Sequence, residues 1–122
     1  MSILAVIVDD SLFTRSKMKE MLSGLPDVEV VGVAKNGEEA IDLIEEKQPE
    51  LVTLDNILPD MTGLEILKVL KPRMPKTTFV MVSAVGQQSA MKEATLLGAR
   101  HYFVKPLDSA EFQSIMLKIL NS

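Results

Sequence analysis

Five short apolar runs, each followed by a segment with helical spacing, constrain the fold of this chain more than any other feature. The runs are rich in β-branched residues and mostly continuous rather than alternating, which is typical of strands covered on both faces. They lie at residues 3–8, 28–34, 51–54, 78–82 and 102–104. The helical segments lie at residues 12–22, 37–47, 63–70, 87–97 and 109–120. The order is therefore strand then helix, repeated five times.

This alternation predicts a mostly parallel sheet with right-handed crossovers and helices on both faces, a doubly wound α/β fold. A length of 122 residues suits one domain spanning 1–122. Residues that commonly cap helices stand at the ends of the predicted helices. Ser11 and Asn36 can cap the first two helices, Gly98 follows the fourth, and Asp108 or Ser109 can cap the fifth.

The composition excludes several classes of function. With 13 basic and 17 acidic side chains, the net charge is -4, so the chain lacks the basic stripe that direct nucleic-acid binding requires. The absence of cysteine and the single histidine, His101, exclude disulfides, thiol catalysis and zinc sites built from those residues. The first apolar run is far too short to span a membrane and has no basic leader. We therefore expect a cytoplasmic protein without membrane insertion.

Chemically active side chains stand where the predicted strands end. Asp9 and Asp10 follow the first strand, Asp55 the third, Ser83 the fourth and Lys105 the fifth. Because the carboxyl ends of parallel strands share one edge of the sheet, residues nearly a hundred positions apart can meet there. The sequence therefore predicts that three carboxylates, a hydroxyl and an ammonium group converge.

Three carboxylates held together repel one another, and each tends to keep its proton unless a cation lies among them. Oxygen-only ligands with room for water favour Mg²⁺, or alternatively Mn²⁺, over zinc. With Lys105 and the Ser83 hydroxyl, such an ion would neutralise a phosphoryl group transferred to one carboxylate. An aspartyl phosphate is a recognised covalent intermediate, so the pattern is compatible with phosphoryl transfer.

Each of these residues alone also has an ordinary structural explanation. Asp9 and Asp10 could favour a helix N-terminus, Asp55 could be a turn residue before Pro59, and Lys105 could simply be solvated. These explanations do not predict that all the residues fall on one edge of the sheet.

Five longer stretches carry a resemblance to a known family. They are VDDS at 8–11, LVTLD at 51–55, LPDMTGLE at 58–65, VSAVGQQ at 82–88 and GARHYFVKP at 98–106. Together they resemble the receiver domain of bacterial two-component response regulators, especially stand-alone chemotaxis regulators of the CheY type. The resemblance covers essentially the whole chain. It implies a flavodoxin-like five-stranded sheet with strand order 2-1-3-4-5.

Residue by residue, the resemblance implies that Asp55 is the phosphoacceptor. It makes Asp9 and Asp10 the acidic pair that holds magnesium together with Asp55, and the main-chain carbonyl of Ile57 a further ligand. Lys105 would contact the phosphoryl group.

The same resemblance implies a switch. Ser83 would be the hydroxyl that moves to meet the phosphoryl group, and Tyr102 the ring that reorients with it. Pro106 matches the family's proline after a cis peptide bond. Ile57 and Val85 are apolar where many relatives carry polar or charged residues, so we expect these two residues to modulate the lifetime of the phosphoryl group.

The resemblance implies a regulator and not a turnover enzyme. A sensor histidine kinase would donate the phosphoryl group, and the altered surface would bind an output partner such as a flagellar switch protein; a phosphatase is a possible further partner. We expect a monomer. Two alternatives remain: the receiver part of a longer transcription factor or output enzyme, and a magnesium-dependent phosphohydrolase. The phosphohydrolase would need an acid or base about two positions after Asp55, where Ile57 stands.

Overall fold

The computed structural model describes residues 2–122, and these form a single sheet flanked by helices. The strands are β1 (Ile3–Val8), β2 (Val28–Ala34), β3 (Leu51–Leu54), β4 (Thr78–Ser83) and β5 (His101–Val104). The helices are α1 (Leu12–Ser23), α2 (Gly37–Lys47), α3 (Gly63–Leu70), α4 (Gln88–Leu96) and α5 (Ser109–Leu120). Strand and helix alternate along the whole chain, as the hydrophobic pattern predicts.

The sheet has the strand order β2-β1-β3-β4-β5, and every neighbouring pair is parallel. The predicted doubly wound α/β class and the flavodoxin-like order are both confirmed. Because β1 and β3 are central neighbours, the residues that follow them emerge side by side at the carboxyl edge.

Both faces of the sheet are covered, which explains why the strands are apolar without alternation. In β1, Val6 and Val8 belong to one buried cluster, whereas Ala5 and Ile7 belong to the other. Helices α2, α3 and α4 complete the first cluster, and α1 and α5 complete the second. The site residues at the edge therefore stand on two packed layers.

The predicted helix boundaries are confirmed at their caps. Ser11, Asn36 and Asp108 each accept a hydrogen bond from the backbone N–H three positions on, at 3.3, 2.8 and 2.9 Å. Gly98 follows α4 with φ of 104°, a conformation that costs glycine little because it has no Cβ.

Two strand boundaries differ from the prediction. Ser83 is the last residue of β4 rather than the first after it, because it pairs with Val104. β5 begins at His101, which pairs with Val80 and remains exposed. In the part of the chain from residue 2 to 122, no helix has the length and apolar character needed to cross a membrane.

Candidate functional site

Carboxylates from the ends of β1 and β3 meet at the carboxyl edge of the sheet. Asp9, Asp10 and Asp55 each offer an oxygen, and these oxygens all lie within 4.8 Å of one another. Asp9 and Asp55 are 3% and 6% exposed, whereas Asp10 is exposed. The cluster therefore has a buried floor and one side open to solvent.

Lys105, which follows β5, supplies the ammonium group of the site. Its Nζ lies 2.7 Å from Oδ2 of Asp9 and 3.4 Å from Oδ2 of Asp55. Its backbone N–H donates to the Ser83 carbonyl at 2.9 Å, and the Lys105–Pro106 peptide bond is cis. The structure thus brings together the three carboxylates and the lysine that the sequence placed at one edge.

The electrostatics of Asp55 and Lys105 reflect this crowding. Burial raises the pKa of Asp55 and the nearby Asp9 charge raises it further, while Lys105 and the Ile57 N–H offset only part of the increase. Burial alone would lower the pKa of Lys105. The hydrogen bond to Asp9 and the two carboxylate charges outweigh burial, so the pKa of Lys105 is raised.

The acidic loop after β1 is held by backbone and side-chain bonds. Oδ1 of Asp9 accepts the Ser11 N–H at 2.9 Å, and the Asp9 N–H donates to the Ala34 carbonyl at 3.0 Å. The guanidinium of Arg15 donates to the Asp9 carbonyl at 2.8 Å. Sequence reasoning missed Arg15, because its partner is a backbone oxygen that no residue type identifies.

The loop between β3 and α3 is closed on itself. The N–H of Gly63 donates to the Asn56 carbonyl at 2.8 Å, and the Asn56 side chain accepts the Leu64 N–H at 3.2 Å. A Cβ at Gly63 would lie 2.2 Å from the Asp55 carbonyl oxygen, so only glycine allows α3 to begin this close to Asp55. Asn56 and Gly63 were also missed from the sequence.

Ser83 and Tyr102 are joined through the backbone of Val85. Ser83 is fully buried, and its Oγ accepts the Val85 N–H at 3.2 Å. The buried Tyr102 donates its hydroxyl hydrogen to the carbonyl of the same Val85. A movement of the Ser83 hydroxyl would therefore leave the Val85 N–H without its acceptor. The Val85 carbonyl would still be bonded to the Tyr102 hydroxyl.

The donor set at this edge fits a hard divalent ion. Within residues 2–122, the three carboxylates outnumber the Lys105 ammonium group that contacts them, which leaves excess negative charge, and the ligand atoms that they offer are oxygens. Such a set suits Mg²⁺ better than zinc. The exposed position of Asp10 leaves room for water ligands.

Exposed apolar side chains occur both beside the cluster and elsewhere on the molecule. A groove of about 440 Å³ opens beside Lys105 and is lined by Met18, Met21 and Leu107, with the exposed Phe13 also on its wall. Further exposed apolar side chains lie on α4, β5 and α5, namely Leu96, Val104 and Leu117, of which Val104 directly precedes Lys105. Both surfaces could contact another protein.

Comparison with known proteins places these features in context. The family model described as response regulator receiver domain matches residues 5–117. The chain is 39% identical over 104 residues to the chemotaxis protein CheY of Listeria monocytogenes, covering 85% of this chain and 87% of that protein. It is 43% identical over 107 residues to a protein-glutamate methylesterase/protein-glutamine glutaminase of Methanospirillum hungatei, covering 85% of this chain and 31% of that protein.

Solved structures give the same match at the level of the fold. One neighbour is a chain of the CheX–CheY–BeF₃–Mg²⁺ complex of Borrelia burgdorferi, with a TM-score of 0.91, 28% identity and coverage of 97% of this chain and 89% of that chain. Another is the response regulator domain of Thermotoga maritima CheB, with a TM-score of 0.83, 33% identity and coverage of 99% and 92%.

Proposed function

Because the chain belongs to the response regulator receiver domain family, we propose that it accepts a phosphoryl group on Asp55 from a sensor histidine kinase and so changes its binding to an output partner. The observation that carries this proposal is the convergence of Asp9, Asp10 and Lys105 on a buried Asp55. Each of these groups has a role in holding or neutralising a phosphoryl group.

In the transfer step, a carboxylate oxygen of Asp55 forms a bond to phosphorus while the bond from phosphorus to the donor histidine nitrogen breaks. The histidine leaves with the electron pair of that bond. Lys105 is within reach of Asp55 and can attract the negative oxygens of the incoming group, and the Ser83 hydroxyl can donate a hydrogen bond to one of them.

A magnesium ion would be held by Asp9, Asp10, Asp55 and the Ile57 carbonyl. When bound, it would neutralise the carboxylates and the developing phosphoryl charge, with manganese as a possible substitute. The Borrelia CheX–CheY complex that resembles this chain contains Mg²⁺ and BeF₃. This similarity supports a metal-dependent site here.

The response to phosphorylation would begin at Ser83. If its hydroxyl turns to the phosphoryl group, Val85 loses one of its two restraints and Tyr102 can shift with it. Tyr102 belongs to β5, and β5 and its neighbours α4 and α5 carry exposed apolar residues. We therefore propose that the output surface is formed by α4, β5 and α5. We also propose that the protein is a cytoplasmic monomer.

A role in chemotaxis is supported by the similarity to the Listeria CheY protein, and a flagellar switch protein is then the partner class. The chain would act as a regulator rather than a turnover enzyme. The similarity to the Methanospirillum methylesterase supports a second candidate function, the regulatory part of a longer protein. A phosphohydrolase is disfavoured, since the side chain two positions after Asp55 is the apolar Ile57.

The test is phosphorylation by acetyl phosphate, followed by intact-protein mass spectrometry. We expect the wild type to gain one phosphoryl group with Mg²⁺ and to gain little in EDTA, whereas Asp55→Asn gains none. Asp42→Asn, which removes an exposed carboxylate of α2, is the matched control and should be labelled like the wild type. Equal labelling of the wild type and Asp55→Asn would overturn the assignment of Asp55.

A further inference from the structure

A second acidic side chain of the β3–α3 loop, Asp60, links the site to a distant helix. Its Oδ1 accepts the N–H of Gly37 at 2.7 Å and its Oδ2 accepts the N–H of Glu38 at 2.9 Å. Asp60 is exposed, and neither bond involves the carboxylate cluster. The two bonds span 23 and 22 positions of sequence, so they are tertiary contacts rather than local turn geometry.

Helix α2 already has a local N-cap residue, so its start does not depend on Asp60 alone. Asn36 accepts the N–H of Glu39 at 2.8 Å, as an N-cap residue ordinarily does. The first turn of a helix leaves four N–H groups without helical partners. Asp60 takes two of them, and therefore fastens the loop to a rigid element.

Close packing reinforces these bonds. A Cβ at Gly37 would lie 2.2 Å from Cγ of Met61, so the residue after Asp60 presses directly on the helix start. Leu58 on the same loop is buried in the core cluster that contains α2 and α3. The loop is thus held at Leu58, Asp60 and Met61.

The base of this loop carries the carbonyl that we assign to the metal. Ile57 and Thr62 form an antiparallel bridge, and Gly63 bonds back to Asn56. With the two sides of the loop joined in this way, a shift of the tip at Asp60 would move Ile57 with it.

The corner between β2 and α2 also holds the acidic loop. The Ala34 carbonyl accepts the Asp9 N–H at 3.0 Å, and three residues later Gly37 donates to Asp60. One corner therefore supports both segments that bring ligands to the site, Asp9 from β1 and Ile57 from the β3–α3 loop.

We propose that Asp60 is a positioning residue for the divalent-ion site: its carboxylate ties the loop that carries the Ile57 carbonyl to α2, and so sets the affinity for Mg²⁺ without contacting the ion. This inference rests on the proposed function, since it presumes that Asp9, Asp10, Asp55 and Ile57 bind the ion. Groups that hold metal ligands in place commonly change metal affinity by about 10- to 100-fold when removed.

The experiment is a calorimetric titration of unphosphorylated protein with MgCl₂, at a temperature where thermal unfolding shows each variant to be fully folded. Asp60→Ala removes both bonds, and we expect Mg²⁺ to bind about 10-fold more weakly. Asp60→Asn keeps one acceptor oxygen and should fall between this variant and the wild type. It also serves if Asp60→Ala fails to fold.

Two control variants distinguish an effect of loop position on Mg²⁺ affinity from effects of helix stability and of net charge. Asn36→Ala removes the local cap of α2 and should lower Tm, while its dissociation constant for Mg²⁺ stays within about twofold of the wild type, because this cap does not touch the metal-carrying loop. Glu38→Gln removes a negative charge at the same helix start without removing either bond. It should also bind Mg²⁺ nearly as the wild type does.

Two outcomes would overturn the role of Asp60. One is wild-type affinity in Asp60→Ala, and the other is equal weakening in Asn36→Ala and Asp60→Ala. Acetyl phosphate labelling of the wild type in the same series tests the proposed function separately. A wild type that binds Mg²⁺ and is labelled, beside an Asp60→Ala variant that binds as tightly, refutes this inference alone.

Discussion

At the scale of single residues, we expect Ile57 and Val85 to modulate the lifetime of a phosphoryl group on Asp55. The side chain of Ile57 is 57% exposed, and that of Val85 is partly buried. Hydrolysis of an aspartyl phosphate needs a water molecule in line with the breaking bond, and polar side chains can hold that water. Apolar side chains such as those of Ile57 and Val85 would offer this water no hydrogen bond.

We therefore expect Ile57→Asn combined with Val85→Glu to accelerate loss of phosphate from Asp55 by about 10²-fold, the lower end of what a positioned acid or base contributes. The rate is measured by mass spectrometry after removal of the phosphodonor. Leu117→Asn, a similar change on an exposed part of α5, should decay at the wild-type rate. An unchanged rate in the double variant would show that these side chains affect only partner contacts.

At the scale of elements, the sequence predicts strands and helices well because their signals are local. Caps such as Ser11, Asn36 and Asp108 are read from residue type and position. The end of β4 was misplaced by one residue, because pairing of Ser83 with β5 decides it and pairing partners are not visible locally.

The residues of the candidate site also fall into those that local sequence signals reveal and those that depend on the completed fold. Its carboxylates and lysine were found because each follows a strand and the strand ends share one edge. Arg15, Asn56 and Asp60 were missed because each bonds to a backbone atom whose position depends on the completed fold. Backbone groups are the same at every position, so the sequence does not indicate which of them a distant side chain will bond.

The connection between β4 and α4 carries the predicted switch. Ser83→Ala removes the acceptor of the Val85 N–H and the hydroxyl that would meet the phosphoryl group. We expect this variant to be labelled by acetyl phosphate but to lose most of the amide NMR shift changes that labelling causes in α4, β5 and α5. Ser83→Thr keeps the hydroxyl and should preserve the changes. Wild-type changes in Ser83→Ala would exclude Ser83 as the coupling residue.

At the scale of the whole molecule, the burial of Asp55 beside Asp9 makes folding stability depend on pH. Burial and Asp9 raise the pKa of Asp55 above its usual 3.8, so the folded protein binds this proton more tightly than the unfolded chain does. The stability that this group contributes is complete below about pH 3.8 and is lost as the pH rises through the raised pKa.

Replacing Asp55 by Asn should therefore raise Tm by a few degrees at pH 7 in EDTA, and the gain should vanish as the pH falls toward 4. Thermal unfolding followed by circular dichroism gives both values. Added Mg²⁺ should stabilise the wild type more than Asp55→Asn, because it binds the folded state with more ligands. Asp42→Asn should show no such pH-dependent gain, and a fall in Tm for Asp55→Asn would contradict the repulsion.

The bond between Lys105 and Asp9 joins residues 96 positions apart, since Asp9 follows the interior strand β1 and Lys105 follows the edge strand β5. Contacts of such long sequence separation form late, since much of the chain must be ordered before its ends can meet. During synthesis, an emerging chain would already carry Asp9, Asp10 and Asp55 but not yet the lysine that completes the site. The carboxylates of such an intermediate would lack their ammonium partner, so the cluster reaches its final charge balance only when β5 is in place.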